Sequence, residues 1–562
     1  MSDQLEQFAG TIVRRGEATY DLHCYQYAYS SHGTDGHMQP AAVLYPTSSR
    51  DVALALAYAA RQSLRVAVRS GGHHLLGASS TSGAGLLMDL RDTYRAFEWD
   101  AARNLLRVGV SHSLDSFNAQ LGALGLFLPH GQCSHVRLGG HVQTGGWGMM
   151  ARSYGLLSDY VVSMELISAD GTERVVHRDS PDLADRELFF ATMGGSPGRF
   201  GLLTHVTFCP LRDSDHPNAR GLKFLLPYSR DRLEALLDVM VEMASDDNFD
   251  GDFDYSVTVL GGAQVYPPFA TGSGLDEQMR VKHPELYGQS ELRALPAGIS
   301  VYAQWGNTGG ASQVFDPTFF NRIKAAARYG APTAAADAPV SLARLAELVR
   351  PRALLEKVEN RVRLGPVPVG LGAEAPIPLS VLARNWVFPN VREFNLAYIK
   401  RTYITNSTSL QSTGWAKWVS DRFDVLVRAN NGCKGFLQVQ HMGGRRSQFR
   451  QKGLDGATSH SWRQDATLCC LMDCFYDDHP RHARSAKQTA MEWQQQNDAG
   501  ALGQQIFSDR DRRVFWGPWG DLDFQTVWPH YLDSPEKYER LRAIQRQVDP
   551  TGLFSANGFG VR

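Results

Sequence analysis

No uncharged apolar run in these 562 residues approaches the roughly 18–20 positions that a membrane-spanning helix needs. Leu121–Leu128 manages eight before Pro129 stops it. An excess of charge of one sign is missing too: 57 Lys and Arg face 58 Asp and Glu, for a net charge of −1. Phosphate-backbone recognition needs a basic excess, so the balance argues against a dedicated nucleic-acid binder. The seven cysteines (Cys24, Cys133, Cys209, Cys433, Cys469, Cys470, Cys474) are too few and too irregular for a disulfide scaffold. Cys469-Cys470 and Cys474 lack paired C-x-x-C spacing, which argues against zinc. Asp246–Gly251 opens like a calcium loop, but Val257 stands where such a loop needs glutamate. No metal is therefore expected. The opening MSDQLEQFAGTIVRRGE has early acids and no apolar h-region. A cytoplasmic protein is expected, with a processed secreted form left open.

What is present is an ordinary folded composition, 43% hydrophobic and 20% charged, with one surplus: 53 glycines. The length implies several cores or two large domains. Ser48-Ser49-Arg50-Asp51 has capping-box form and introduces a helix over Val52–Arg61. Strands are expected at Leu64–Val68, Gly85–Leu90 and Leu105–Val110, and a helix at Ser113–Leu124. Val161–Val176 reads as a hairpin turned by Asp170-Gly171, and a helix at Pro181–Ala191 precedes a strand at Gly201–Phe208. Beyond about Pro210 come strand-like stretches at Gly221–Leu226, Asp252–Leu260 and Ser300–Trp305, with helices at Asp231–Met243 and Val340–Arg350. The segments 262–296 and 325–339 read as loops or insertions. Boundaries fall near 212 and 500, giving parts 1–212, 213–500 and 501–562.

Residues Gly131 to Gly148 hold six glycines in eighteen positions. Without Cβ atoms, such backbone can approach an anion closely, a diphosphate above all, or it can simply pack tightly. Gly146-Trp147-Gly148-Met149-Met150-Ala151 matches the dinucleotide fingerprint, but no apolar strand precedes it, so a Rossmann unit is rejected. Arg69-Ser70-Gly71-Gly72-His73-His74 is a second glycine turn, set directly after a strand.

Together the two segments resemble the berberine-bridge-enzyme-like flavoproteins of the vanillyl-alcohol-oxidase (p-cresol-methylhydroxylase) superfamily. The pattern is a strand ending Arg-Ser-Gly-Gly-His, then Gly-x-Cys and Gly-Gly-His-x-x-x-Gly-Gly-x-Gly some 60 residues later. The likeness runs on through Tyr154-Gly155-Leu156, Asp170-Gly171, Arg186–Phe190 and Ser196–Gly201, and resumes over Tyr531–Phe559. It implies an α+β fold: a two-part FAD-binding domain of the p-cresol-methylhydroxylase type, plus a substrate domain whose antiparallel sheet is covered by helices. It implies FAD bonded covalently to His73 and Cys133, with His74 an alternative one residue away. Further cofactor contacts are implied at Arg69, Ser70, Gly71, Gly72, Val136, Gly139, Gly140, His141, Thr144, Gly145, Gly148, Gly155, Gly201 and Leu203. Val136 falls where family members gate oxygen access, and its small side chain implies an oxidase. The sequence departs from the pattern at Arg137, where the family has glycine; the arginine either reaches the flavin edge or points to solvent.

The implied reaction takes hydride from a carbon bearing a hydroxyl or amine and returns the electrons to O2 as H2O2. The implied partners are a small-molecule substrate and O2, with no nucleic acid or membrane. The substrate is a carbohydrate or a secondary metabolite; a dehydrogenase with another acceptor and a non-catalytic flavin-binding module are the alternatives. Gln438 and Gln440 share one face of the strand around Gly435–Gly444, either toward the substrate or outward. Cys470, Met472, Cys474 and Tyr476 share a face of the next strand, with Tyr476 a phenol near the site or a core residue. The reaction also needs a base. Where the family carries Tyr-x-Asn-Tyr this chain reads Trp528-Pro529-His530-Tyr531, which leaves Tyr531, His530 or a group in the middle domain.

Overall fold

The computed structural model describes residues 5, 7–24, 26, 38–261, 298–328, 371–372, 375–386, 398–412, 414–428, 433–476, 485–503, 511–520 and 522–562. The expected helix over 340–350 and most of the two expected insertions lie outside these residues.

The first part builds two sheets. Strands β1 (Thr11–Arg14), β2 (Ala42–Tyr45), β3 (Val66–Arg69) and β4 (Leu86–Asp89) form a sheet in the order β1-β2-β4-β3. Its last three strands are parallel and β1 is antiparallel. Strands β5 (Phe97–Asp100), β6 (Leu105–Gly109), β8 (Val161–Ile167), β9 (Glu173–His177) and β10 (Leu202–Phe208) form an antiparallel sheet in the order β5-β6-β10-β8-β9. Short strands β7 (Leu126–Phe127) and β11 (Leu211–Arg212) pair beside it. Local signals explain several boundaries. Ser48 caps the helix Ser49–Arg61 by accepting from the Asp51 amide, and Gly171 turns the β8–β9 hairpin at φ +85°.

One apolar core joins both sheets to the carboxy-terminal segment, burying Leu541, Leu553, Phe554 and Phe559 beside Val66, Met88 and Phe189. Arg199, nearly inaccessible, donates to the carbonyls of Phe554 (2.9 Å), Asn557 (2.7 Å) and Phe559 (2.6 Å). The end of the chain thereby closes the first part, which we call the bed.

The middle of the chain forms a seven-stranded antiparallel sheet, the roof. Its strands are β12 (Arg220–Pro227), β13 (Phe253–Gly261), β14 (Gly298–Trp305), β15 (Leu371–Gly372), β16 (Tyr398–Thr405), β17 (Cys433–His441) and β18 (Leu468–Tyr476). Their order is β15-β12-β14-β13-β17-β18-β16. One face is apolar: Val257, Val301, Leu437, Val439, Cys470 and Met472 pack under the helices Arg230–Ser245, Thr318–Ala327, Trp415–Arg428 and Ala486–Gly503. Sequence periodicity did not identify the last three helices. No helix among the described residues is long and apolar enough to cross a membrane.

The other face turns toward the bed, and polar groups clamp the two together. The buried Arg152 guanidinium donates to the carbonyls of Gly443 (3.1 Å), Phe253 (2.8 Å) and Phe249 (2.8 Å), and to that of Asp250. Burial lowers its pKa to about 10. Asp254 on β13 accepts from the amides of Arg152 (2.8 Å) and Ser153 (3.2 Å), from the Ser153 hydroxyl, and from Gln304 (2.8 Å). Trp147 stacks on Trp516 with ring centres 4.5 Å apart. The buried Arg463–Asp159 pair (2.7 and 2.8 Å) adds a bidentate bond.

Burial outweighs these donors at Asp254 and raises its carboxyl from 3.8 to about 6. The folded state therefore holds this proton more tightly than the unfolded chain. Its contribution is complete below about pH 4 and is lost as pH rises through 6, by roughly 3 kcal/mol at most. Asp254→Asn should flatten that part of the stability–pH curve in chemical denaturation. An unchanged slope between pH 4 and 6 would contradict the assignment.

Candidate functional site

Gly71 and Gly139 let the two glycine turns touch. A methyl group on Gly71 would stand 3.0 Å from the Arg137 amide nitrogen and 3.3 Å from the His135 carbonyl oxygen. One on Gly139 would stand 2.9 Å from the Ser70 hydroxyl. The turn that carries His73 thus abuts the loop that carries Cys133. Gly72 (φ +67°) supplies the left-handed residue just before His73.

The two adjacent histidines have different surroundings. His74 packs against Phe559 with ring centres 5.0 Å apart and accepts the Ala78 amide at Nδ1 (3.2 Å). Burial holds its pKa down to about 3, so it is a neutral packing residue.

Other residues expected at the cofactor have identifiable partners within the protein. Arg69 is buried and donates to Asp89 and the His23 carbonyl (2.6 Å each). A local motif cannot show this, because Asp89 lies on the neighbouring strand. Leu203 packs in the bed core, where β10 pairs with β8. His141 accepts the Gly131 amide (2.9 Å) and ties the ends of the glycine loop; burial and the neighbouring His130 hold its pKa near 3. Thr144 donates back to the carbonyls of Gly140 and His141 (3.1 Å each). Gly145 (φ +99°), Gly155 (φ +84°) and Gly201 (φ +132°) shape turns. Val136 packs at the edge of the bed core. Arg137 takes neither expected course: it is half-buried and donates to the Ser111 carbonyl.

The roof supplies the other wall. Leu75, two residues past His73, packs with Phe436, Phe475 and Tyr398. Gln440 donates to the Gly148 carbonyl (2.9 Å). Gln438 lies between Phe436 and Gln440 on the same face of β17. It is therefore set over the space between the His73 turn and the end of the glycine loop. In the strand register Thr258 lies opposite Gln438, and Ser256 opposite Gln440. Gln438 Nε2, Gln440 Oε1, Ser256 Oγ and Thr258 Oγ1 are all buried and have no hydrogen-bond partner among the described residues. Burying such groups unpaired is costly, so the patch is suited to a ligand that both donates and accepts hydrogen bonds. Ser256 and Thr258 were missed in the sequence, although their alternation with Val257 and Val259 was a usable signal.

The expected bases do not reach this patch. Tyr476 lies on the helix-covered apolar face with Cys470, Met472 and Cys474. The four align as expected, but on the wrong side. Tyr531 is buried in the bed against Phe515, Phe524 and Phe559. Its hydroxyl lies 3.2 Å from both the amide and the carbonyl of Trp519, and burial pushes its pKa up to about 12. His530 is engaged with Asp511, 3.0 Å from its carbonyl oxygen, and Trp528 stacks on Tyr538.

A family profile described as FAD binding domain matches residues 40–177, the stretch that holds both glycine turns. Berberine bridge enzyme-like 11 of Arabidopsis thaliana is 31% identical over 168 residues, 29% of this chain and 31% of that protein. The chain carries an FAD-binding domain and is similar to berberine-bridge-enzyme-like proteins. Aclacinomycin-N/aclacinomycin-A oxidase of Streptomyces galilaeus is 32% identical over 148 residues, 26% of this chain and 27% of that one. Alignments to eight curated relatives span only 27–43% of those proteins' lengths. The fold likeness extends further. A xylooligosaccharide oxidase from Myceliophthora thermophila, solved with xylobiose, superposes with a TM-score of 0.66 at 15% identity, covering 100% of this chain and 98% of that one.

The residues present fit an FAD. Gly140 is exposed, and a methyl group there would meet nothing within 4 Å. On Gly148 it would overlap the His130 carbonyl. Gly140→Ala should therefore keep the parent melting temperature while lowering the flavin content of purified protein. Gly148→Ala should lower the melting temperature itself. Equal melting and equal flavin content in parent and both variants would contradict this division of roles.

Proposed function

We propose that this protein is an FAD-linked oxidase acting on a carbon that bears a hydroxyl group. The supporting observation is that the His73 turn and the Cys133 loop abut beneath the polar roof face. His73 would bond the flavin 8α-methyl carbon and Cys133 its C6. Two tethers would fix the ring system without a deep enclosing pocket, leaving the roof side free for substrate. When bound, the flavin supplies a two-electron acceptor for hydride, and reoxidation by O2 yields H2O2. Val136, small and beside the Cys133 turn, supports the oxygen reaction.

Gln438, Gln440, Ser256 and Thr258 would orient the substrate through neutral hydrogen bonds. These four side chains are neutral donors and acceptors, which suits hydroxyl groups on a sugar ring. A carbohydrate is therefore the favoured substrate, and the xylobiose-bound neighbour supports the same class. The similarity to an aclacinomycin oxidase favours a second reading, a hydroxyl-bearing secondary metabolite.

Acid precipitation of purified protein should leave the yellow colour in the pellet. His73→Ala and Cys133→Ala should each retain pellet colour through the other bond, and the double variant should lose it. Colour released from the parent into the supernatant would overturn the two-bond reading. Anaerobically photoreduced parent should reoxidise rapidly on admission of air, and slow reoxidation would instead indicate a dehydrogenase.

A further inference from the structure

We propose that Asp473 is the base that accepts the substrate's hydroxyl proton, with Lys400 positioning its carboxylate. The assignment rests on the flavin-linked oxidation proposed above. Tyr476, Tyr531 and His530 are engaged elsewhere, which directs attention to the groups of the roof that face the bed among the described residues. Asp254 and Asp473 are the carboxylates on the roof's polar face among the described residues. Asp254 is committed to the backbone of Arg152 and Ser153, where it holds roof to bed.

Asp473 is differently placed. It is fully buried on β18 and lies opposite Phe436 on one side and Lys400 on the other. Phe436 is the residue that packs with Leu75, so the carboxylate stands at the His73 end of the roof. Gln438 is its diagonal neighbour across the β17–β18 pair, roughly 7–8 Å away. A hydroxyl group held by Gln438 and Thr258 would therefore present its proton toward Asp473. The Lys400 ammonium lies 3.4 Å from Oδ2. An opposite charge at that distance stabilises a buried carboxylate in its proton-accepting form. Lys434 shares this face of β17 and is also buried, so the surroundings carry net positive charge.

The step balances simply. The O–H bond breaks and its proton passes to the Asp473 carboxylate. The adjacent C–H bond would break, and its hydrogen and electron pair would leave as hydride to the two-electron acceptor that a bound flavin supplies. The carbon would become a carbonyl, and the two electrons would be accounted for by that acceptor.

Sulfite titration tests this placement without a known substrate, because sulfite adds to the flavin as an anion and bleaches its visible band. Asp473→Asn should bind sulfite on the order of tenfold more tightly, since a repelling charge is removed and Lys400 is left unopposed. Lys400→Gln keeps the carboxylate and should weaken sulfite binding. With xylobiose and benzyl alcohol as probes, whichever reduces the parent flavin should reduce Asp473→Asn about 10²–10⁴-fold more slowly. Flavin retained with parent sulfite affinity in both variants would overturn the assignment, as would reduction of Asp473→Asn at the parent rate. Parent protein that holds no flavin would instead overturn the reading beneath it.

Discussion

The guanidinium of Arg152 is the interaction on which the rest of the structure depends. It sits on a short helix that follows directly from the glycine loop, yet its donors are spent on backbone carbonyls at the ends of β13 and β17. A buried arginine so placed cannot be moved without leaving several carbonyls and a charge unpaired, a penalty of several kcal/mol. Asp254 reads the same helix from the other side through its amides. Bed and roof are therefore fixed against each other at the point where the cofactor loop ends. Gln440 on Gly148 and Trp147 on Trp516 reinforce the same junction.

That rigidity gives the roof two unlike faces. The helix-covered face is filled with Val, Leu, Met and Cys and obeys ordinary core packing. The bed-facing side carries hydroxyls, amides and one lysine–aspartate pair, all largely hidden from solvent. A protein that buries polar groups without pairing them internally gives up stability there, and such concentrations mark places where a ligand completes the hydrogen bonding. The net neutrality of the chain fits this picture. Around Gln438 and Gln440 the polar side chains are mostly neutral, with Lys400, Lys434 and Asp473 the charged groups nearest them.

Much of the bed was legible in the sequence because its signals are local. Ser48 caps a helix, Asp170-Gly171 turns a hairpin, and Gly71 and Gly139 mark close backbone approaches. Long-range partners were invisible. Arg69, implied as a cofactor contact, pairs with Asp89 on a neighbouring strand, and His73 and His74 differ through Phe559, which lies far along the chain. On the roof, alternation grouped Gln438 with Gln440 and Cys470 with Tyr476 correctly, but it could not say which face met the bed. Every residue of β17 and β18 is buried, so neither side carries the solvent-facing pattern that orients a strand. Asp473 escaped notice for the same reason.

The central claim is that one flavin bridges the His73 turn and the Cys133 loop beneath this polar roof. Tandem mass spectrometry of a proteolytic digest tests it most directly. The account predicts a single species in which the peptide containing His73 and the peptide containing Cys133 are joined through one flavin. Unmodified His73 and Cys133 peptides in flavin-loaded protein, or flavin carried on a peptide from elsewhere in the chain, would contradict it.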